Sequence, residues 1–180
     1  MNIQQTPIEG LLIIQPRLFT DDRGYFYESY NKEAFVKAGI EPEFIQDNQS
    51  CSKKGTLRGL HFQASPFAQG KLVRVISGRV LDIAVDIRRT SATYGQHFSI
   101  ELSAANHTQF WIPAGFAHGF IALEDDTIFC YKCTNLYDKD SEGGIRWNDA
   151  TLNINWGAEN PLVSDKDEVL GEFADLVSPF

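Results

Sequence analysis

Between its two ends the chain reads as short runs of β-branched, aromatic and aliphatic residues, each closed by Gly, Asp, Asn, Pro or Ser. Such runs predict strands over 11–19, 25–30, 44–50, 56–63, 71–77, 79–87, 97–102, 108–112, 118–123 and 127–136, about ten in all. Asp21-Asp22-Arg23-Gly24 and Ser77-Gly78 carry the residues of hairpin turns, since Gly supplies positive φ and Asp bonds its own turn. Helical patterning is confined to two pieces. One is Asn31 to Ala38, closed by Gly39 with Pro42 beyond, and the other follows Ser164, a good N-cap ahead of Asp165 and Asp167. No alternation of strand and helix appears, so a parallel sheet is disfavoured and an antiparallel jelly roll or closed barrel, which hides its edges, is expected.

A length of 180 residues suits one domain spanning 1–180, and 43% hydrophobic with 22% charged residues suits a packed core. Sixteen basic against twenty-four acidic side chains leave a net charge of -8, which argues against a surface built for duplex nucleic acid. A pocket where a few Arg and Lys converge can still take an anion. The longest aliphatic run, Leu11 to Ile14, is too short to span a bilayer, and the first residues lack the basic and apolar regions of a secretory signal. A cytoplasmic protein without membrane or nucleic-acid partners is expected. Three cysteines do not make a disulfide framework, and Cys130 and Cys133, three apart on a predicted strand, face opposite sides.

Two local patterns carry chemistry. Gly55-Thr-Leu-Arg-Gly-Leu-His61-Phe-Gln63 and Pro113-Ala-Gly115-Phe-Ala-His118 are similar to the two motifs of the cupin superfamily, so a mainly β, cupin-type jelly-roll barrel with a few short helices is expected. Cupin metal sites typically place a second His two residues after the first. Here Gln63 stands there, and two imidazoles are a poor ligand set, so no metal and no other cofactor is expected. By alternation His61 shares a face with Leu57, Gly59 and Gln63, Lys71 with Val73 and Val75, and Tyr131 with Phe129 and Cys133. If those faces line the barrel, a His, a Lys and a Tyr enter one apolar cavity. Each could equally be a satisfied core or edge residue.

Longer stretches narrow the choice. They are Phe19-Thr-Asp-Asp-Arg-Gly-Tyr-Phe26, Phe44-Ile-Gln-Asp-Asn-Gln-Ser50, Lys54 through Gln63, Ala68 through Val75, Val80 through Arg88, Trp111 through Phe120, Gly144-Ile-Arg-Trp-Asn-Asp149 and Ser164-Asp-Lys-Asp167. Together they resemble the dTDP-4-dehydrorhamnose 3,5-epimerases over all but about the last dozen residues. The resemblance implies inversion of C3 and C5 of dTDP-4-dehydro-6-deoxy-D-glucose through an enolate, on the way to dTDP-L-rhamnose. It implies His61 as base with Asp167 behind it, Lys71 as the positive donor to the C4 oxyanion and Tyr131 as the acid on the opposite face. It further assigns Arg23, Glu28, Gln46, Asn48, Arg58, His118, Glu142 and Lys166 to the nucleotide sugar, Tyr137 to stacking on thymine, and a homodimer as the assembly. Alternation sends Arg58 away from His61, which places it at the rim or the diphosphate between subunits. Relatives that invert only C3 or only C5, ketoisomerases on a related barrel, and a non-catalytic sugar-binding cupin remain open.

Overall fold

The computed structural model describes residues 1–40 and 43–180; Pro42 therefore lies outside the described residues. Thirteen strands occur among them: β1 (Asn2–Gln5), β2 (Leu12–Gln15), β3 (Phe19–Asp21), β4 (Gly24–Phe26), β5 (Gln46–Ser52), β6 (Leu57–Gln63), β7 (Lys71–Ser77), β8 (Arg79–Asp86), β9 (His97–Ser103), β10 (Gln109–Ile112), β11 (Phe116–Ala122), β12 (Thr127–Cys133) and β13 (Glu142–Gly144). Helices α1 (Lys32–Lys37) and α2 (Asp165–Glu168) and a 3-10 turn at Phe173–Asp175 complete the elements. One sheet runs β1-β2-β10-β7-β12-β5, the other β13-β6-β11-β8-β9, and β3 with β4 forms a separate hairpin. All pairs of these strands are antiparallel, and no described helix is long and apolar enough to cross a membrane.

Each sheet is covered on both faces over part of its width, while β1, β5 and β9 keep exposed positions. Between the sheets lie Val73, Val75, Phe110 and Phe129 from one and Val80, Ala84, Leu102, Phe116 and Phe120 from the other. Behind the five-stranded sheet, Leu60, Phe62, Ile83 and Val85 pack under Ile145, Leu152 and Trp156 of the C-terminal segment. Behind the six-stranded sheet, Ile14, Leu72 and Trp111 receive Phe35 of α1 and Ile40. Strands buried on both sides lose the polar alternation of a solvated sheet, which is why β10 and β11 are buried at every position.

Several sequence expectations are refined. The run 11–19 breaks after β2 at Pro16, which cannot donate to a ladder, and resumes as β3. Asp21-Asp22-Arg23-Gly24 does turn a hairpin, with Asp21 opposite Gly24. Ser77-Gly78 does not: β7 and β8 belong to different sheets, and Gly78, at φ +75°, turns a corner between them. A side chain there would strike Thr127. The second helix starts at its expected cap, Ser164 Oγ accepting from the amide of Asp167, and Asn31 Oδ1 caps the first by accepting from that of Ala34, each at 3.2 Å.

Asp86 ends β8 as a fully buried carboxylate. It accepts from Arg88 Nε (2.9 Å), Arg88 Nη2 (2.7 Å), Ser91 Oγ (2.6 Å) and Thr93 Oγ1 (2.6 Å), anchoring the loop that follows. Burial raises its pKa, but those bonds outweigh it and hold the carboxyl at about 2 against an ordinary 3.8. Its contribution of about 2 kcal/mol stands above the unfolded chain's value and is lost as pH falls through the folded one. Urea unfolding should show Asp86→Asn about 2 kcal/mol less stable at neutral pH, with the gap narrowing below about pH 4 and closing near 2. A gap that stayed constant over that range would contradict the assignment.

Candidate active site

The site is assembled around an irregularity in β6. His118 of β11 lies opposite His61, yet Phe120 lies opposite Arg58, so two steps along β11 match three along β6. The extra residue is accommodated at Gly59, whose φ of +131° suits a residue without a side chain. Across this bulge the alternation resets. Leu57, Leu60 and Phe62 pack on the outer core, while Arg58 and His61, three apart, line one cavity. The expectation that Arg58 faces away from His61 is thereby corrected.

That cavity, of about 480 Å³, lies between the sheets and is lined by Arg58, His61, Lys71, His118, Phe120, Phe129, Tyr131, Lys166 and Asp167, among others. Asp167 reaches it from the far end of the sequence. Leu162 bonds the backbone on either side of Thr56, which lays the C-terminal segment along β6, and Ser164 then caps α2 with Asp167 in its first turn. The Asp167 carboxylate is buried. It sits 2.7 Å from His61 Nε2 through Oδ1 and accepts the Gly59 amide at 3.2 Å through Oδ2. A carboxylate partner puts the ring hydrogen on Nε2 and leaves Nδ1 as the basic nitrogen. Burial raises the Asp167 pKa, but the bond from His61, that histidine's charge and the Gly59 amide bring it below the ordinary value.

Lys71 opens β7 opposite Ile112 and Cys133. Burial pushes its pKa below the usual lysine value, while Cys133, Glu142 and Asp82 pull it back through space rather than by hydrogen bonds. No hydrogen bond from its Nζ to another described residue occurs. Burial also raises the Tyr131 phenol above its ordinary value, so it keeps its proton. A neighbouring depression of about 310 Å³ shares His61, Lys71 and Tyr131 and adds Gln46, Asn48, Tyr137 and Glu142. There Glu142 accepts from Tyr137 Oη (2.9 Å) and Lys166 Nζ (2.6 Å), and Gln46 Oε1 accepts the Tyr137 amide (2.8 Å). Tyr137 itself is half exposed at the rim. Gln63 donates to the carbonyls of Phe67 and Leu136 and accepts the Asp138 amide, so it pins the loop that carries Tyr137.

Eleven of the thirteen residues proposed from sequence thus converge on two adjoining depressions. The other two do not. Arg23, with its side chain 89% exposed, pairs with Asp21 on the β3–β4 hairpin, and Glu28 accepts from Asn31 beyond it; neither lines these two depressions. Sequence reasoning missed Asp82, fully buried, which meets His118 Nε2 with both carboxylate oxygens at 3.0 and 2.9 Å. The available signal was an acid inside an apolar strand, which demands a partner.

Residues 5–175 match the family model described as dTDP-4-dehydrorhamnose 3,5-epimerase. The chain belongs to that family. The dTDP-4-dehydrorhamnose 3,5-epimerase of Shigella flexneri is 52% identical over 176 residues, covering 97% of each chain. The crystal structure of the Elizabethkingia anophelis NUHP1 epimerase superposes with a TM-score of 0.94 at 46% identity, covering 97% of both chains. The Legionella pneumophila Philadelphia 1 enzyme, solved in complex with dTDP-4-keto-L-rhamnose, gives 0.93 at 46% identity and covers 97% of this chain and 94% of its own. The chain is therefore an isomerase of the cupin-like epimerase family, and its two mutually facing sheets are that family's β fold.

The bulge is the local feature on which this epimerase site turns. An added Cβ at Gly59 would lie 2.5 Å from Gly119 Cα and 2.8 Å from the His118 carbonyl oxygen. Gly59→Ala should cost about 3 kcal/mol in denaturant unfolding and lower activity in the fraction that remains folded. A change below about 0.5 kcal/mol would show that the close approach does not constrain the strand.

Proposed function

We propose that residues 1–180 act as one epimerase domain, in a cytoplasmic homodimer, that inverts C3 and C5 of dTDP-4-dehydro-6-deoxy-D-glucose to give dTDP-4-dehydro-L-rhamnose. The observation that carries this assignment is the convergence of the His61–Asp167 pair, Lys71 and Tyr131 on one cavity, in a chain of the 3,5-epimerase family.

The chemistry follows from what each group can do. His61 Nδ1 takes the proton from the carbon beside the C4 ketone; the C–H electron pair becomes the enolate, and the new imidazolium is held by Asp167. Charge developing on the C4 oxygen meets the Lys71 ammonium in a water-poor site, where such a donor is worth about 3 to 4 kcal/mol. Tyr131 then gives its phenolic proton to the opposite face of the same carbon and the ketone re-forms. Proton exchange with solvent returns His61 and Tyr131 to their starting states, so no co-reactant is consumed.

The remaining residues bind. Arg58 offers a bidentate fork to the diphosphate, and His118 and Lys166 add positive charge on the same wall. Gln46, Asn48, Tyr137 and Glu142 take the nucleoside end, with the Tyr137 ring against thymine. Arg23 and Glu28 act from the second subunit. The hairpin that carries Arg23 exposes Phe19 (51%), Tyr25 (58%) and Phe26 (67%), an apolar set that a second copy would cover while bringing Arg23 to its neighbour's cavity.

His61→Asn should lower turnover by about a thousandfold while dTDP binding by calorimetry changes less than about threefold, and the protein should sediment at about twice 20.2 kDa. Turnover that survived the substitution would remove His61 from the base role, whereas wild-type protein that bound dTDP without turning the substrate over would leave a binding module as the better account.

A further inference from the structure

The cavity contains a second histidine–carboxylate pair that the proton transfers do not use. Asp82 stands in the middle of β8, in the otherwise apolar stretch Val80-Leu-Asp-Ile-Ala-Val85, with no exposed surface. The hydrogen bonds it accepts among the described residues come from Nε2 of His118, which reaches both of its oxygens. His118 is 7% exposed, lies over the Phe129 ring (centroids 6.2 Å apart, planes 23°), and is the cross-strand partner of His61.

We propose that Asp82 is a positioning residue for substrate binding: it holds His118 as an imidazolium whose other nitrogen, Nδ1, donates to the diphosphate beside Arg58. The inference rests on the assignment of this cavity to a nucleotide sugar. Two physical points carry it. A carboxylate on Nε2 places a hydrogen there, so Nδ1 is the ring nitrogen left for a ligand. As a neutral imidazole it would turn a lone pair toward phosphate, whereas as an imidazolium it donates. The cation also needs an anion behind it. His118 shares its cavity with Arg58, Lys71 and Lys166, with His61, Tyr131 and Asp167 completing the titratable lining, and Asp167 is already engaged by His61 and the Gly59 amide. Asp82 supplies the compensating charge at the Nε2 edge of the ring, giving a line of carboxylate, imidazolium and phosphate.

Binding of dTDP and steady-state kinetics near neutral pH, on the wild-type protein, Asp82→Asn, His118→Asn and the double variant, test this. Each single substitution should weaken dTDP binding about tenfold, and the double variant should be no weaker than His118→Asn alone. KM should rise with the dissociation constant while kcat of Asp82→Asn stays within about threefold. Independent, multiplicative losses, or a loss confined to kcat, would overturn the proposal, as would His118→Asn binding dTDP as the wild type does. If the wild-type protein failed to bind dTDP, the nucleotide-sugar assignment itself would fall. Should Asp82→Asn not fold, nitrogen-15 NMR of the wild-type dTDP complex decides: both His118 ring nitrogens should carry hydrogens, and a neutral ring protonated on Nε2 alone would contradict the proposal.

Discussion

One buried carboxylate ties this molecule together. Asp167 holds the Gly59 amide through one oxygen and the His61 ring through the other. It therefore holds both the bulge that resets β6 and the imidazole that the bulge presents. A carboxylate taken out of water is tolerable only with such partners, and its partners here are more than a hundred positions away in sequence. Docking of the C-terminal segment and formation of the site are accordingly the same event. The Leu162 ladder beside Thr56, the Ser164 cap and the apolar cover over the five-stranded sheet all serve to deliver one side chain.

Phe120 and Phe129 form part of the cavity wall, and charged groups beside such rings are screened less than in water. Burial holds Lys71 below the ordinary lysine range and Tyr131 above that of an ordinary phenol, opposite directions from one cause. In the proposed reaction the phenol retains the proton it gives to the enolate, and the negative charge that develops on the C4 oxygen draws the Lys71 amine toward its protonated form. The two histidines sit side by side on neighbouring strands, yet each answers to a different carboxylate. His61 is bonded by Asp167 from outside the sheet and His118 by Asp82 from within it.

Much of this was legible in the sequence where side-chain patterning alone decides structure. β7, β8 and β12 carry strong β-formers between clear breaks and fall at or within the expected bounds, and Asn31 and Ser164 cap as their chemistry dictates. β1 and β13 were not legible, because Asn2-Ile-Gln-Gln5 and Glu142-Gly-Gly144 lack an apolar face and exist as strands only through their neighbours. Alternation misplaced Arg58 because a bulge at Gly59 depends on the close approach of Gly119, a tertiary contact. The Ser77-Gly78 turn has hairpin chemistry, but which sheet receives the next strand is a matter of topology. Asp167 alone reads as a helix-start charge, and only the family resemblance marked it as the partner of His61.

The central claim is that one cavity moves protons at both carbons flanking the C4 ketone. Proton NMR of dTDP-4-dehydro-6-deoxy-D-glucose incubated with the protein in D2O tests it most directly. The account predicts deuterium entering at both C3 and C5 with conversion to the L-sugar, and loss of both exchanges in His61→Asn. Exchange at one carbon alone would reduce the activity to that of a single-site epimerase. Nucleotide binding without exchange at either carbon would contradict the enzyme altogether.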